Sequence, residues 1–144
     1  DSKNRYAYAK DAKKKVGVEI RAMLVVKEHY EKQNWKVNDL SKKKGLGYDY
    51  VIKNKKGNIK MIEVKGLQKK SRVNLTINEV KFAKNTTDIS VLAIVHDIKL
   101  EKRVGKWIGK KGVLKIIDPI NLDESKLFPT QYSYDWITDS SSKN

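Results

Sequence analysis

Between Leu40 and Arg72 the chain carries eleven Lys or Arg residues and only two acids, Asp49 and Glu63. Either the two acids merely neutralise lysines on a solvated face, or they are placed for chemistry. Glu63 is followed two residues later by Lys65 within Ile62-Glu63-Val64-Lys65-Gly66, and the alternation of an extended strand puts side chains two apart on one face. Asp49 precedes this segment on the other arm of an expected hairpin, so two carboxylates and an amine converge. That grouping suits a hard divalent cation such as Mg²⁺ or Mn²⁺. Two carboxylates hold such an ion, which keeps several waters and accepts a phosphate oxygen, while the amine orients or activates an attacking water.

The tripeptide recurs at Glu79-Val80-Lys81, and context separates the copies. Thr76-Ile77-Asn78-Glu79 has the form of a capping box that opens a helix. Two residues apart on a helix point about 200° apart, so Glu79 and Lys81 cannot converge, and Glu79 reads as a cap. Glu19 is a further candidate. On an expected helix from Val16 to about Gln33 it falls about 20° from Val26 and Tyr30, inside the stripe meant for the core. Either its head reaches solvent from the stripe edge, or it supports the metal. His29 and the pair His96-Asp97 have no nucleophile beside them and read as surface groups. The run from Gly105 to Gly112 lacks the spacing of a phosphate-binding loop and reads as a basic hairpin turn.

The elements that must position these residues follow from periodicity. Residues 1–15 are polar and Lys-rich, a flexible lead-in. Val16, Ile20, Met23, Leu24 and Tyr30 recur at helical steps. Trp35–Asp39, Gly47–Asn54 and Ile59–Gly66 read as strands, the last two joined by Lys55-Lys56-Gly57-Asn58 as an antiparallel hairpin. A helix of about ten residues starts after Thr76, Ile89–His96 is a buried strand, and 98–117 offers two more β segments before Asp118-Pro119 stops them. The order is helix, three strands, helix, strand: an α/β domain over 16–118 with a mixed sheet flanked by helices, an extra C-terminal hairpin and an irregular acidic tail at 119–144.

With Gly47-Tyr48-Asp49-Tyr50 followed by Ile62-Glu63-Val64-Lys65-Gly66, the sequence resembles the PD-(D/E)XK nuclease superfamily, on a matching αβββαβ order. Within it, Trp35-Lys36-Val37, the first-helix glutamate and Thr76 to Glu79 are most similar to the domain at the C-terminus of the plant protein NO VEIN and in bacterial restriction-type proteins. The resemblance implies a restriction-endonuclease-like core in which Asp49 and Glu63 bind the metal, the Val64 carbonyl adds a ligand, Lys65 serves the water, and Glu19 completes the site. Tyr48 stands where the family pattern has proline.

A chain of 144 residues with 39% apolar content is one domain's worth of core, and it carries a net charge of +15. With no cysteine there is no disulfide, thiolate metal site or cysteine nucleophile, which fits an intracellular, cytoplasmic setting. Neither a secretory leader nor a membrane span is legible. Beginning at Asp1 and ending in Ser-rich sequence, the chain reads as a domain excised from a larger restriction-type protein. The expectation is therefore a Mg²⁺-dependent DNA endonuclease, with Lys42, Lys43, Lys44, Lys69, Lys70 and Arg72 on the phosphate backbone and a homodimer among the assemblies open to it. The alternative is a non-catalytic nucleic-acid-binding module of the same fold; a basic domain docking on anionic lipid fits less well, for want of an amphipathic Lys/Leu helix with exposed aromatics.

Overall fold

The structure is a computed structural model that describes residues 2–128. Its elements are α1 (Ser2–Lys32), β1 (Lys36–Asp39), β2 (Tyr50–Lys53), β3 (Ile59–Gly66), α2 (Ile77–Asn85), β4 (Ser90–His96), β5 (Lys99–Arg103), β6 (Lys106–Lys110) and β7 (Val113–Ile117), followed by a 3-10 turn at Glu124–Lys126. Five strands form a mixed sheet in the order β1-β2-β3-β4-β7; β3 and β4 are parallel, bridged by α2, and the other pairs are antiparallel. The helix–three strands–helix–strand order expected from periodicity is thus present, on an α/β architecture. Gly57, at φ 84, turns the expected β2–β3 hairpin.

Period two sorts the two faces of the sheet. Tyr50 and Ile52 on β2, Ile62 and Val64 on β3, and Val91, Ala93 and Val95 on β4 form the main core with Val18, Ala22, Val26 and Tyr30 of α1. The opposite face carries Asp49, Glu63 and Lys65, and beside them a smaller apolar cluster of Ala83, Leu92 and Ile120 under α2.

Four expectations need correction. The lead-in is helical: α1 starts at Ser2, consistent with the helix-favouring Ala7, Ala9 and Ala12 and with Lys10 and Lys14, whose ammonium groups lie over the Trp107 ring. Of the expected stripe, Val16, Ile20 and Leu24 are exposed, and the buried positions are the smaller Val18, Ala22 and Val26. Close approach explains this: a Cβ on Gly66 would sit 2.9 Å from Ala22 Cβ, and one on Gly109 would sit 2.5 Å from Arg21 Cβ, so α1 meets both sheets through small residues. Beyond β4 there are three strands rather than two. β5 and β6 form a separate ribbon packed on α1, whereas β7 returns to pair with β4. Finally, the tail begins docked, with Ile120 buried and its N–H donating to Ser90 O at 2.8 Å; residues 129–144 lie outside the described part.

Candidate active site

Asp49 lies one residue before β2, so it is a strand-entry residue rather than a strand residue. Its position has a backbone cause. The Asp49 N–H donates to Ile62 O at 2.8 Å, and beyond that point β2 has ended, so the next N–H on this edge of β3, that of Val64, has no strand partner. The Asp49 carboxylate supplies it, with Oδ2 accepting from Val64 N at 2.8 Å. The ladder alternation turns the Val64 carbonyl to the same vacated edge.

Glu63 and Lys65 share the α2-facing side of β3, as the alternation required, with Lys65 Nζ 3.4 Å from Glu63 Oε1. A fourth member comes from α2. Glu79 closes a full capping box: its N–H donates to Thr76 Oγ1 at 3.1 Å and its Oε1 accepts from Thr76 N at 2.8 Å. The same Oε1 accepts from Lys65 Nζ at 3.0 Å. The cap reading was right and incomplete, because the capped end of α2 points at the strand that carries Lys65. The sequence signal was available in the short span of ten residues between the Glu63-Val64-Lys65 strand and the capping box.

Three carboxyl groups around one ammonium leave a surplus of negative charge, and the protonation pattern reflects it. Burial pushes the Glu63 carboxyl up to about 10, reinforced by its hydrogen bond to Glu79 and the nearby Asp49 charge. Burial likewise raises Asp49, against the pull of the Val64 N–H, Glu63 and Lys65. Burial alone would raise Glu79 too, but the Glu63 hydrogen bond, the Thr76 N–H and Lys65 outweigh it and hold Glu79 below its usual range. Burial opposes the Lys65 charge, and the hydrogen bond to the ionised Glu79 more than restores it. In this arrangement Glu63 keeps a proton, Glu79 is ionised and Lys65 is cationic. A cleft of about 10 Å³, room for about one water, lies beside Glu63 and Glu79 and is lined by Gly47, Tyr48, Phe82 and Ser90 among others.

The structure does not bring Glu19 to this group. It is exposed on α1, which packs on the opposite face of the sheet, and it makes no ion pair or hydrogen bond among the described residues. The buried row of α1 steps by four through Val18, Ala22, Val26 and Tyr30 and turns about 40° at each step, so at the turn of Glu19 the contact lies at Val18, about 100° away. Lys42, Lys43 and Lys44 are exposed on the β1–β2 loop, which presses on the start of α2: a Cβ on Gly47 would sit 2.7 Å from Phe82 Cβ and 3.0 Å from Asn78 O. Lys69 and Lys70 are exposed on the loop from β3 to α2. Both loops flank the cluster. Arg72 is exposed on the same loop as Lys69 and Lys70, its guanidinium 4.2 Å from the Phe128 ring centroid.

Fold and site together define an α/β domain with a half-buried acidic cluster and one lysine on the face of a mixed sheet. The family model described as protein NO VEIN, C-terminal, matches residues 18–107, and the chain belongs to that family. No curated protein and no solved structure matches it. No helix among the described residues is long and apolar enough to cross a membrane.

Proposed function

We propose that this is a Mg²⁺-dependent deoxyribonuclease domain of restriction-endonuclease-like fold, working on the phosphodiester backbone of DNA. The single observation that carries this reading is the convergence of Asp49, Glu63 and Lys65 at the edge that β2 vacates, on a chain of net charge +15. Among the described residues no three His, Asp or Glu side chains enclose a metal by themselves. The donor set fits Mg²⁺ all the same, since that ion takes one or two carboxylates and fills the rest of its shell with water and phosphate oxygens. Asp49, Glu63 and the Val64 carbonyl would hold it, and the proton on Glu63 marks the excess acidity that a dication relieves.

Bound there, the ion would polarise the scissile phosphate and stabilise the leaving oxygen. Asp49 is fixed at that edge by the Val64 N–H. Lys65, when it leaves Glu79, orients the attacking water and offsets charge on the phosphate. Glu79 is the resting partner of Lys65. Lys42 to Lys44 and Lys69 and Lys70 would bring DNA across the cleft between their loops.

The test is cleavage of plasmid and linear duplex with Mg²⁺ by the wild type, Glu63→Ala and Lys65→Ala. Loss of cleavage in both folded variants supports the site. Cleavage at the wild-type rate by either one rejects it. DNA binding without metal-dependent cleavage by the wild type would instead assign the non-catalytic binding module.

A further inference from the structure

The β5–β6 ribbon has no part in the cluster. It packs on α1, on the other side of the main sheet, through Leu100, Trp107 and Gly109; a Cβ on Gly17 would sit 2.6 Å from Trp107 O and 3.3 Å from Leu100 Cδ2. Its register sets Lys99 opposite Lys110 and Arg103 opposite Lys106. These four cations share the outward face with Glu101 and Ile108, and all six are exposed. Like charges directly opposite on a two-stranded ribbon are destabilising, and an isolated ribbon is marginal to begin with. Glu101 offsets only Arg103, at 3.2 Å; Lys99, Lys106 and Lys110 have no ion pair among the described residues.

The crowding continues onto the inner rim. Lys14, Lys10 and Lys102 lie 4.7, 6.0 and 5.8 Å from the centroid of the single Trp107 ring, and none of the three has a carboxylate partner among the described residues. One indole face compensates such charges weakly at an exposed site. Spacing also fits a polyanion. The two like-charged rungs are four residues apart, about 13 Å along the strands, close to about four base-pair rises of a duplex.

We propose that the outward face of the β5–β6 ribbon is a second nucleic-acid contact, in which Lys99, Arg103, Lys106 and Lys110 lie along duplex phosphates. It shares with the proposed function only the class of ligand, and it needs neither metal nor cleavage. An arrangement that repels itself in the free protein is relieved when phosphates enter between the pairs, and folding stability is given up for binding.

The test measures affinity of the full chain for a fluorescent 20-base-pair duplex in EDTA, over a range of salt, so that failure of the nuclease reading leaves it untouched. The variant Lys99→Gln/Arg103→Gln/Lys106→Gln/Lys110→Gln is expected to bind about ten-fold or more weakly and to lose about three to four units from the slope of log affinity against log salt. Its melting temperature is expected to stay level or rise. The single-rung variants Lys99→Gln/Lys110→Gln and Arg103→Gln/Lys106→Gln are each expected to lose about half of that slope, and they decide the matter should the fourfold variant fold poorly. Lys55→Gln/Lys56→Gln, at the β2–β3 turn on the far end of the sheet, serves as the control. A ribbon variant that folds and keeps the wild-type slope overturns the proposal. So does a wild type that ignores duplex DNA, or a wild type that prefers phosphatidylserine vesicles to DNA while the ribbon variants lose as much affinity for the vesicles as for DNA.

Discussion

Replacing Glu63 by Gln should stabilise the metal-free protein at neutral pH, although a buried charged residue is ordinarily costly to disturb. Glu63 keeps its proton in the fold up to about pH 10, whereas in the unfolded chain it titrates near its ordinary value of 4.5. Because the folded value is the higher one, the native state binds the extra proton across this window. The contribution is fully present below about pH 4.5 and is lost as the pH rises. Each pH unit in the window costs about 1.4 kcal/mol, so the change from pH 5 to pH 7 is at most about 3 kcal/mol. Glutamine reproduces the neutral, hydrogen-bonding form without the proton. For a chain of this size 1 kcal/mol moves the melting temperature by about 4 °C, so Glu63→Gln should melt roughly 5–10 °C above the wild type at pH 7 and near it at pH 5. Other groups titrate in both proteins, and the difference between paired melts in EDTA isolates Glu63. A difference that stays flat from pH 5 to pH 8 would mean that Glu63 is ionised and satisfied by Lys65 alone, and the surplus-charge reasoning would fail.

Asp49→Asn should bind DNA at least as tightly as the wild type without metal, because a negative charge leaves a basic surface; markedly weaker binding by the folded variant in a fluorescence titration would make Asp49 an organiser of the backbone edge instead. Changing Lys42, Lys43 and Lys44 together to Ala should reduce the salt slope of duplex binding by up to about two to three units, while Lys126→Ala should leave it in place. Gly109→Ala should cost about 1–3 kcal/mol in urea unfolding, since its new Cβ would meet Arg21 Cβ at 2.5 Å and Gly17 O at 2.8 Å; an unchanged midpoint would place the ribbon away from α1. Val104, a β-branched residue at φ 47 in the β5–β6 turn, should gain about 0.5–1 kcal/mol on replacement by Asn, which tolerates that conformation and favours the turn.

The site was more legible in the sequence than the helix that covers the sheet's other face. A strand has one period and one choice of face, so Ile62, Val64 and Gly66 against Glu63 and Lys65 could be sorted by counting. The capping box at Thr76 to Glu79 was equally plain, since its two reciprocal hydrogen bonds are local. What counting could not show is which residue meets which partner at long range. Ile20 and Leu24 are more hydrophobic than Gly17 and Ala22, yet the small residues face the sheet and ribbon because Gly66 and Gly109 let the backbones approach. Glu19 lies within about 20° of the buried Val26 and Tyr30 and is still exposed, because the contact row shifts along the helix and has reached Val18 at that turn. Glu79 was read only as a cap because its second partner, Lys65, is reached across a loop and not along the helix. The pairing of β7 with β4, and the exile of β5 and β6 to their own ribbon, likewise depend on tertiary contacts that leave no local signature.

The central claim is that the edge vacated by β2 holds a divalent cation, and crystals grown with Mn²⁺ test it through anomalous scattering. The account predicts one peak in contact with the carboxylates of Asp49 and Glu63 and the carbonyl of Val64, absent from Asp49→Asn crystals grown in the same way. A map without density there, or with the ion bound elsewhere and undisturbed by Asp49→Asn, would contradict it.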